Sequence, residues 1–332
     1  MSFKDNFVQI ENVSVNLDGK LAIDQISCKI NLNKKTGIIG ETGSGKSTLL
    51  KTIAGLIQPV EGIISYKNER ILGPNEKLLP GHDKIAYLSQ HFELRNNYQV
   101  WDILSFANLL TDQEAEEIYK CCKVDHLMNR WTYELSGGEK QRIALAKLLI
   151  TKPSLLLLDE PFSNLDNHHK KSIYEVLNDV IERFQLSVIL VSHDAMDILS
   201  WTEEIFVLKS GRVVQSGKTE NIFNFPIDEY TAGLLGEFQL LESDSIFSKI
   251  INGYQSEEHK RLFIRPHYFR IENDKNSNSL SGKIKEIIPY GFYFLIKVEL
   301  ERHTLSVISI SSDLKQGELV DITYNKKDFH LL

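Results

Sequence analysis

Cysteine is scarce: Cys28, Cys121 and Cys122 are the three in 332 residues, and two of them are adjacent. So few thiols argue against a disulfide framework and fit a reducing compartment. An excess of basic charge is missing too. Lys and Arg number 38 against 45 Asp and Glu, a formal net charge of −7, which speaks against a nucleic-acid binder relying on a dominant basic surface. No window approaches ~18 uninterrupted apolar residues, so no membrane span is expected. The opening MSFKDNFVQI lacks a basic stretch leading into an apolar core, so no signal peptide is expected. No internal repeat or heptad array is visible. These absences leave the expectation of a soluble, cytoplasmic protein. What is present, 42% hydrophobic and 25% charged residues, is ordinary globular usage. The length suits about two domains of ~150 residues, enough for a sizeable core.

The first two-thirds of the chain alternates short apolar runs with longer helical patterns. Residues 36–40 (TGIIG), 84–89 (KIAYLS), 154–158 (SLLLL) and 187–191 (SVILV) read as strands buried on both faces of a parallel sheet. Helical patterns over 47–56, 139–150 and 167–184 separate them, which predicts an α/β sheet. After about residue 237 the pattern changes. Residues 241–260 read as a polar connector or small helix, and 273–282 (NDKNSNSLSG) as a loop rich in turn formers. Residues 292–299 (FYFLIKVE), 304–310 (TLSVISI) and 318–324 (ELVDITY) are strand-like. A small β-barrel or sandwich is the natural reading, with the domain boundary placed near 240.

Residues 40–47, GETGSGKS, match G-x-x-x-x-G-K-[ST]. Such a match arises by chance in roughly one chain in a hundred of this size, and here an apolar strand precedes it and a helical pattern follows. The glycines let backbone N–H groups turn inward around phosphate oxygens, and the following helix adds its positive end. Gly40, Glu41, Thr42, Gly43, Ser44, Gly45, Lys46, Ser47 and the adjoining Thr48 are therefore the candidate ATP-binding residues. Lys46 would reach the β- and γ-phosphates, and the Ser47 hydroxyl would help hold Mg²⁺.

Residues 155–161, LLLLDEP, place Asp159 and Glu160 at the C-terminal end of a buried strand, where open α/β sheets bind ligands. An acidic pair there is often only solvated punctuation. Beside a phosphate loop, Asp159 becomes a candidate to bind Mg²⁺, directly or through water, and Glu160 the group that polarises the attacking water. Residues 135–139, LSGGE, read locally as a capping box, Ser136-x-x-Glu139, ahead of an apolar helix. Two glycines make a poor first turn, up to about 1 kcal/mol each worse than Ala, but they open the backbone to a phosphate.

At this point the chain resembles the ATP-binding cassette (ABC) ATPases. The order matches over about 200 residues: GETGSGKS at 40–47, IAYLSQ ending at Gln90, LSGGE at 135–139, LLLLDEP at 155–161, SNLD at 163–166 and VSHD at 191–194. The resemblance implies a P-loop NTPase cassette (residues 1–240) with a helical subdomain over about 91–150, followed by a small all-β barrel domain (241–332). It further implies that Gln90 senses Mg²⁺ and the attacking water. Ser136, Gly137 and Gly138 would close over ATP held by an opposite subunit, and Asp166 would link the two sites. His193 would contact the γ-phosphate. The implied arrangement is a split site in a homodimer, in which a signature helix presents its N-terminus to ATP bound by the partner. Two departures stand out. Leu17 occupies the position, 29 residues before Lys46, where the family usually has an aromatic against adenine, and Glu139 replaces the commoner Gln.

Only 46 positions separate Gln90 from Ser136, too few for the long coiled coil of repair-type cassettes, and the single motif set differs from the paired cassettes of translation-type members. Residues 210–217 (SGRVVQSG), 221–226 (NIFNFP), 262–266 (LFIRP) and the closing DFHLL resemble bacterial importers for polyamines, ferric iron, oxyanions and sugars, whose small β-barrel pads the dimer and sometimes binds a regulator. The implied function is the ATP-hydrolysing subunit of an importer, peripheral on the inner face of the cell membrane. Its partners would be integral-membrane permease subunits and an extracytoplasmic substrate-binding protein, with no nucleic acid. A soluble ABC ATPase driving a non-transport change, or a nucleotide-gated regulator, are the alternatives. Phe92 and Leu94, in the loop after Gln90, and the helical segment 98–118 are the expected docking region.

Overall fold

The structure, a computed structural model, describes residues 6–90, 94, 96–163, 165–241, 261–272, 279–300, 303–311 and 313–332. By compactness the chain divides into Met1–Ile222 and Phe223–Leu332.

The first unit opens with β1 (Asn6–Leu17) and β2 (Lys20–Asn31), then β3 (Lys35–Ile39), α1 (Lys46–Ile53), β4 (Glu61–Tyr66), β5 (Glu69–Arg70) and β6 (Ile85–Leu88). Helices α2 (Val100–Ala107), α3 (Asp112–Cys121) and α4 (Gly137–Leu149) follow, then β7 (Leu155–Asp159), α5 (Asn167–Phe184), β8 (Ser187–Val191), α6 (Ala195–Trp201), β9 (Glu204–Lys209) and β10 (Arg212–Lys218). Strands β10-β9-β3-β8-β7-β6 form one sheet, parallel except for the β9–β10 hairpin, and β2-β1-β4-β5 form a second, antiparallel one. The four apolar runs that read as parallel strands are β3, β6, β7 and β8, and every residue of β7 and β8 is buried.

The antiparallel sheet is what the sequence did not announce. Its first strand slips register between Ile10 and Val13 and again between Val13 and Val15, and Asn12 and Gln25 adopt positive φ. Each irregularity shifts the two-residue alternation by one position, so the pattern of Ile10, Val13 and Val15, all buried, fits no simple period. These residues join one cluster with Leu49, Leu50 and Ile53 of α1, Leu155 and Leu157 of β7, and Ile189 and Val191 of β8. The two sheets thus clamp α1, fixing the loop before it.

Helix α7 (Thr219–Asn224) spans the boundary, and the second unit continues with α8 (Glu229–Leu234), β11 (Gln239–Leu241), β12 (Leu262–Ile264), β13 (Arg270–Glu272), β14 (Ser279–Pro289), β15 (Phe294–Leu300), β16 (His303–Ser309), β17 (Leu319–Thr323) and β18 (His330–Leu331). The expected all-β character is present as two antiparallel sheets, β11-β12-β18 and β13-β17-β14-β15-β16. Strand β13 also lies against β16, curling the larger sheet back on itself. Residues 279–282, expected as loop, instead begin β14. Gly282 belongs there because a side chain would meet Val298 of β15 at 2.6 Å, a close approach that glycine permits.

Candidate functional site

The phosphate-loop match lies between β3 and α1, at the C-terminal edge of the parallel sheet. Two of its glycines are dictated by backbone crowding. A Cβ on Gly40 would sit 2.3 Å from the Leu208 carbonyl oxygen, and one on Gly45 2.6 Å from that of Ala22. Gly45 also holds φ 103 as the N-cap of α1, a conformation other residues rarely adopt. No side chain caps α1, so its first-turn N–H groups stay open to an anion. The Ser44 hydroxyl is buried with no hydrogen-bond partner among the described residues, an orphan that a phosphate oxygen would satisfy.

Lys46 is buried, and its ammonium donates to the carbonyls of Gly40 and Glu41 at 2.8 and 2.9 Å. Burial holds its pKa below the usual lysine value, opposed by the nearby carboxylates of Glu160 and Asp159. Ser47 Oγ donates to Asp159 Oδ1 at 2.8 Å, and Tyr87 Oη donates to the other oxygen, Oδ2, at 2.8 Å. Burial and the Asp159 carboxylate push the Tyr87 phenol well above its ordinary range, so it stays a donor. Glu41, Thr42 and Gly43 are exposed at the loop's mouth, and Thr48 lies on α1.

Glu160 follows β7 with φ 49, a left-handed conformation costing about 1–3 kcal/mol in a non-glycine residue and concentrated at functional sites. Its N–H donates to the Val191 carbonyl at 2.9 Å, and its Oε2 lies 2.8 Å from His193 Nδ1. The loop carrying His193 is pinned from α5: the Lys170 ammonium bridges Asp194, at 3.0 Å, and Asp197. Asp197 also accepts from Tyr174 Oη and Ser192 Oγ at 2.9 and 3.0 Å. Gln90 is exposed just beyond β6.

The signature stretch is a capping box in fact. Ser136 Oγ accepts from the Glu139 N–H at 3.3 Å while Glu139 accepts from the Ser136 N–H at 2.8 Å. Both glycines lie in the first turn of α4, contrary to a start at 139. A side chain on Gly137 would face open space, whereas one on Gly138 would meet the His169 ring at 3.1 Å. Asp166 caps α5, accepting from the His168 and His169 N–H groups at 3.0 and 2.9 Å and pairing with His169 Nδ1 at 2.7 Å. The His169 bonds hold its carboxyl below the usual range. His169 thereby touches both segments that the resemblance turns toward a partner.

Lys46, Ser47, Asp159, Glu160 and His193 come together at one sheet edge. Ser136, Gly137, Gly138 and Asp166 gather around His169. Sequence reasoning missed Tyr87, Gln141 and Lys170. Gln141 is buried in α4 and donates to the Pro161 carbonyl, tying the signature helix to the segment after Glu160. A glutamine amid the apolar side of α4 was its only signal. Phe92 lies outside the described residues. Leu94 is half-buried.

A family model described as "ABC transporter" matches residues 23–163. The glucose import ATP-binding protein GlcV of Saccharolobus solfataricus is 33% identical, over 96% of this chain and 96% of its own length. The sulfate/thiosulfate import ATP-binding protein CysA of Mesostigma viride is 30% identical, over 86% of this chain and 84% of its own. Among solved structures, CbiO1 of Clostridium perfringens, described as part of the ABC transporter complex CbiONQ, superposes with a TM-score of 0.58 at 26% identity, covering 67% of this chain and 92% of that one.

Proposed function

The chain belongs to the ABC transporter family as an import ATP-binding subunit, an ATPase whose hydrolysis drives import, and on that premise we propose how its residues do this work. ATP phosphates take the loop of Gly40–Ser47, displacing the Lys46 ammonium from the carbonyls it now bonds and accepting from the Ser44 hydroxyl and the open N–H groups of α1. Ser47 and Asp159 would hold Mg²⁺, with Gln90 joining them. A hydroxyl, a carboxylate and an amide oxygen from three residues suit an ion that keeps several waters. Bound there, the ion would supply neutralisation of charge on the transferring phosphoryl group.

Glu160 takes the proton of the attacking water, and His193, hydrogen-bonded to that carboxylate, stabilises charge at the γ-phosphate. Ser136, Gly137, Gly138 and Asp166 complete the site of a second copy of the chain, so that closure of a homodimer finishes the catalyst. Hydrolysis removes the ligand that held the dimer shut. The single observation carrying this reading is the convergence of the Ser47–Asp159 and Glu160–His193 pairs at the end of β7.

The dimer docks on the inner face of permease subunits, with an extracytoplasmic binding protein supplying substrate. Trp101 and Phe106 on α2, and Leu109 after it, are exposed, which supports a docking face on the helical segment. Among the described residues no helix is long and apolar enough to cross a membrane, so membrane attachment runs through those partners. Two relatives of similar identity are named for chemically unlike cargoes, glucose and sulfate or thiosulfate, which supports selectivity residing in the partners. A mild-detergent pull-down from native cells tests the reading. Recovery of a polytopic membrane protein is expected; recovery of soluble proteins alone would move the chain to a non-transport role.

A further inference from the structure

The Asp159 carboxylate is 4% exposed and is engaged at both oxygens by hydroxyls from two different elements. One donor, Ser47, belongs to the phosphate loop. The other, Tyr87, belongs to β6, which runs parallel to β7 with Tyr87 paired to Leu157. Leu157 and Asp159 are two residues apart on one strand and so face the same side of the sheet, one step of about 6.6 Å. A tyrosine at that register has the length to cover that step and place its hydroxyl on the carboxylate. Phenylalanine or leucine there would fill the space and donate nothing.

We propose that Tyr87 is a positioning residue for the divalent-cation site. Its hydroxyl holds Oδ2, which stops the carboxylate turning about its terminal bond and keeps Oδ1 facing Ser47, where the two residues would hold the cation. This rests on the reading that Ser47 and Asp159 hold Mg²⁺. Outer hydrogen-bond partners of ligating groups fix ligand orientation in metal sites generally, and their loss typically weakens metal binding at least tenfold. With Tyr87 gone, a buried carboxylate oxygen loses the hydroxyl that donates to it, and among the described residues no other is bonded there, so the ligand is free to rotate out of register with Ser47.

The test is Tyr87→Phe in the full chain, read by equilibrium binding of a fluorescent ATP analogue as Mg²⁺ is titrated, and again in excess EDTA. The wild-type chain, Ser47→Ala and Asp159→Asn run alongside, and the apo melting temperature of each is recorded. The expected result is about a tenfold rise in the Mg²⁺ concentration for half-maximal binding, with nucleotide affinity in EDTA within twofold of wild type. Equal weakening with and without Mg²⁺ would reduce Tyr87 to a packing residue and overturn the proposal. So would a Mg²⁺ curve coinciding with wild type while Asp159→Asn shifts. Should wild-type binding itself be indifferent to Mg²⁺, the Ser47–Asp159 reading fails first, and Tyr87 falls with it. If the Phe variant melts early, Tyr87→Met, of similar apolar reach, carries the same comparison.

Discussion

His193 Nδ1 lies 2.8 Å from Glu160 Oε2, across two parallel strands in which Asp159 pairs with Val191. The register of β7 and β8 therefore sets the pair: each residue leaves its strand just past that rung. The left-handed φ of Glu160 turns its carboxylate back toward the imidazole, and its N–H bond to Val191 holds the turn. A carboxylate that would accept a proton from water and an imidazole that would meet the γ-phosphate are thus hydrogen-bonded to each other.

Glu160→Gln keeps the side chain's shape and removes its basicity. Turnover should fall by about 10²- to 10⁴-fold, the range of a general base, with ATP affinity within about threefold of wild type. Light scattering with saturating ATP and Mg²⁺ should report a persistent dimer. A variant that stays monomeric under those conditions would sink the split-site model for the isolated subunit.

Lys46 makes a sharper test of binding than of folding. Its ammonium is buried against two carbonyls, and burial already lowers its pKa, so Lys46→Ala removes a poorly solvated charge and should leave the melting temperature near wild type. Charge-assisted bonds to phosphate are worth ~1.5–3 kcal/mol, so ATP should bind about 10- to 100-fold more weakly by calorimetry. Gly40→Ala should lose binding and melt early as well, because its Cβ has 2.3 Å to the Leu208 oxygen.

Leu17 ends β1 opposite Lys20, and the same hairpin brings Ala22 against Gly45, so the tip borders the phosphate loop. An aliphatic side chain there offers a base contact area but no stacking plane. Aromatic–base stacking is worth about 1–3 kcal/mol, so Leu17→Tyr should tighten ATP at least fivefold and leave inorganic triphosphate affinity unchanged. Equal tightening of both ligands would mean the tip does not meet the base.

Runs whose residues all face a core were readable in sequence. β7 and β8 are buried throughout, so composition alone marks them. Motif residues were readable because chemistry restricts their types: Gly40 and Gly45 by crowding, Ser47 and Asp159 by oxygen donors. Tyr87 was not, because in a buried strand a tyrosine reads as packing until the register with Leu157 is known. Lys170 was hidden for a related reason. Its partners Asp194 and Asp197 lie more than twenty residues away, and a lysine on a helix otherwise reads as solvated surface. The β1–β2 hairpin was obscured by its own bulges.

The second unit carries a pH dependence of its own. Burial, with Arg265 beside it, pushes the His330 imidazole down to about 4, and the Phe263 ring packs 4.4 Å from it. The folded unit therefore holds the neutral ring, while the unfolded chain takes up a proton near pH 6.5. Its contribution is complete above about 6.5 and lost as pH falls toward 4. For a half-buried ring this is worth ~1–2 kcal/mol once solvent screening is allowed for, about 2–4 °C of melting temperature per kcal/mol. His330→Phe cannot titrate. Its melting temperature should fall less steeply than wild type between pH 6.5 and 4, and the two curves should run parallel above 7. Parallel curves through the acid window as well would mean that His330 is protonated in the folded chain at no cost, and that its burial among Phe263 and Phe225 leaves the ring solvated.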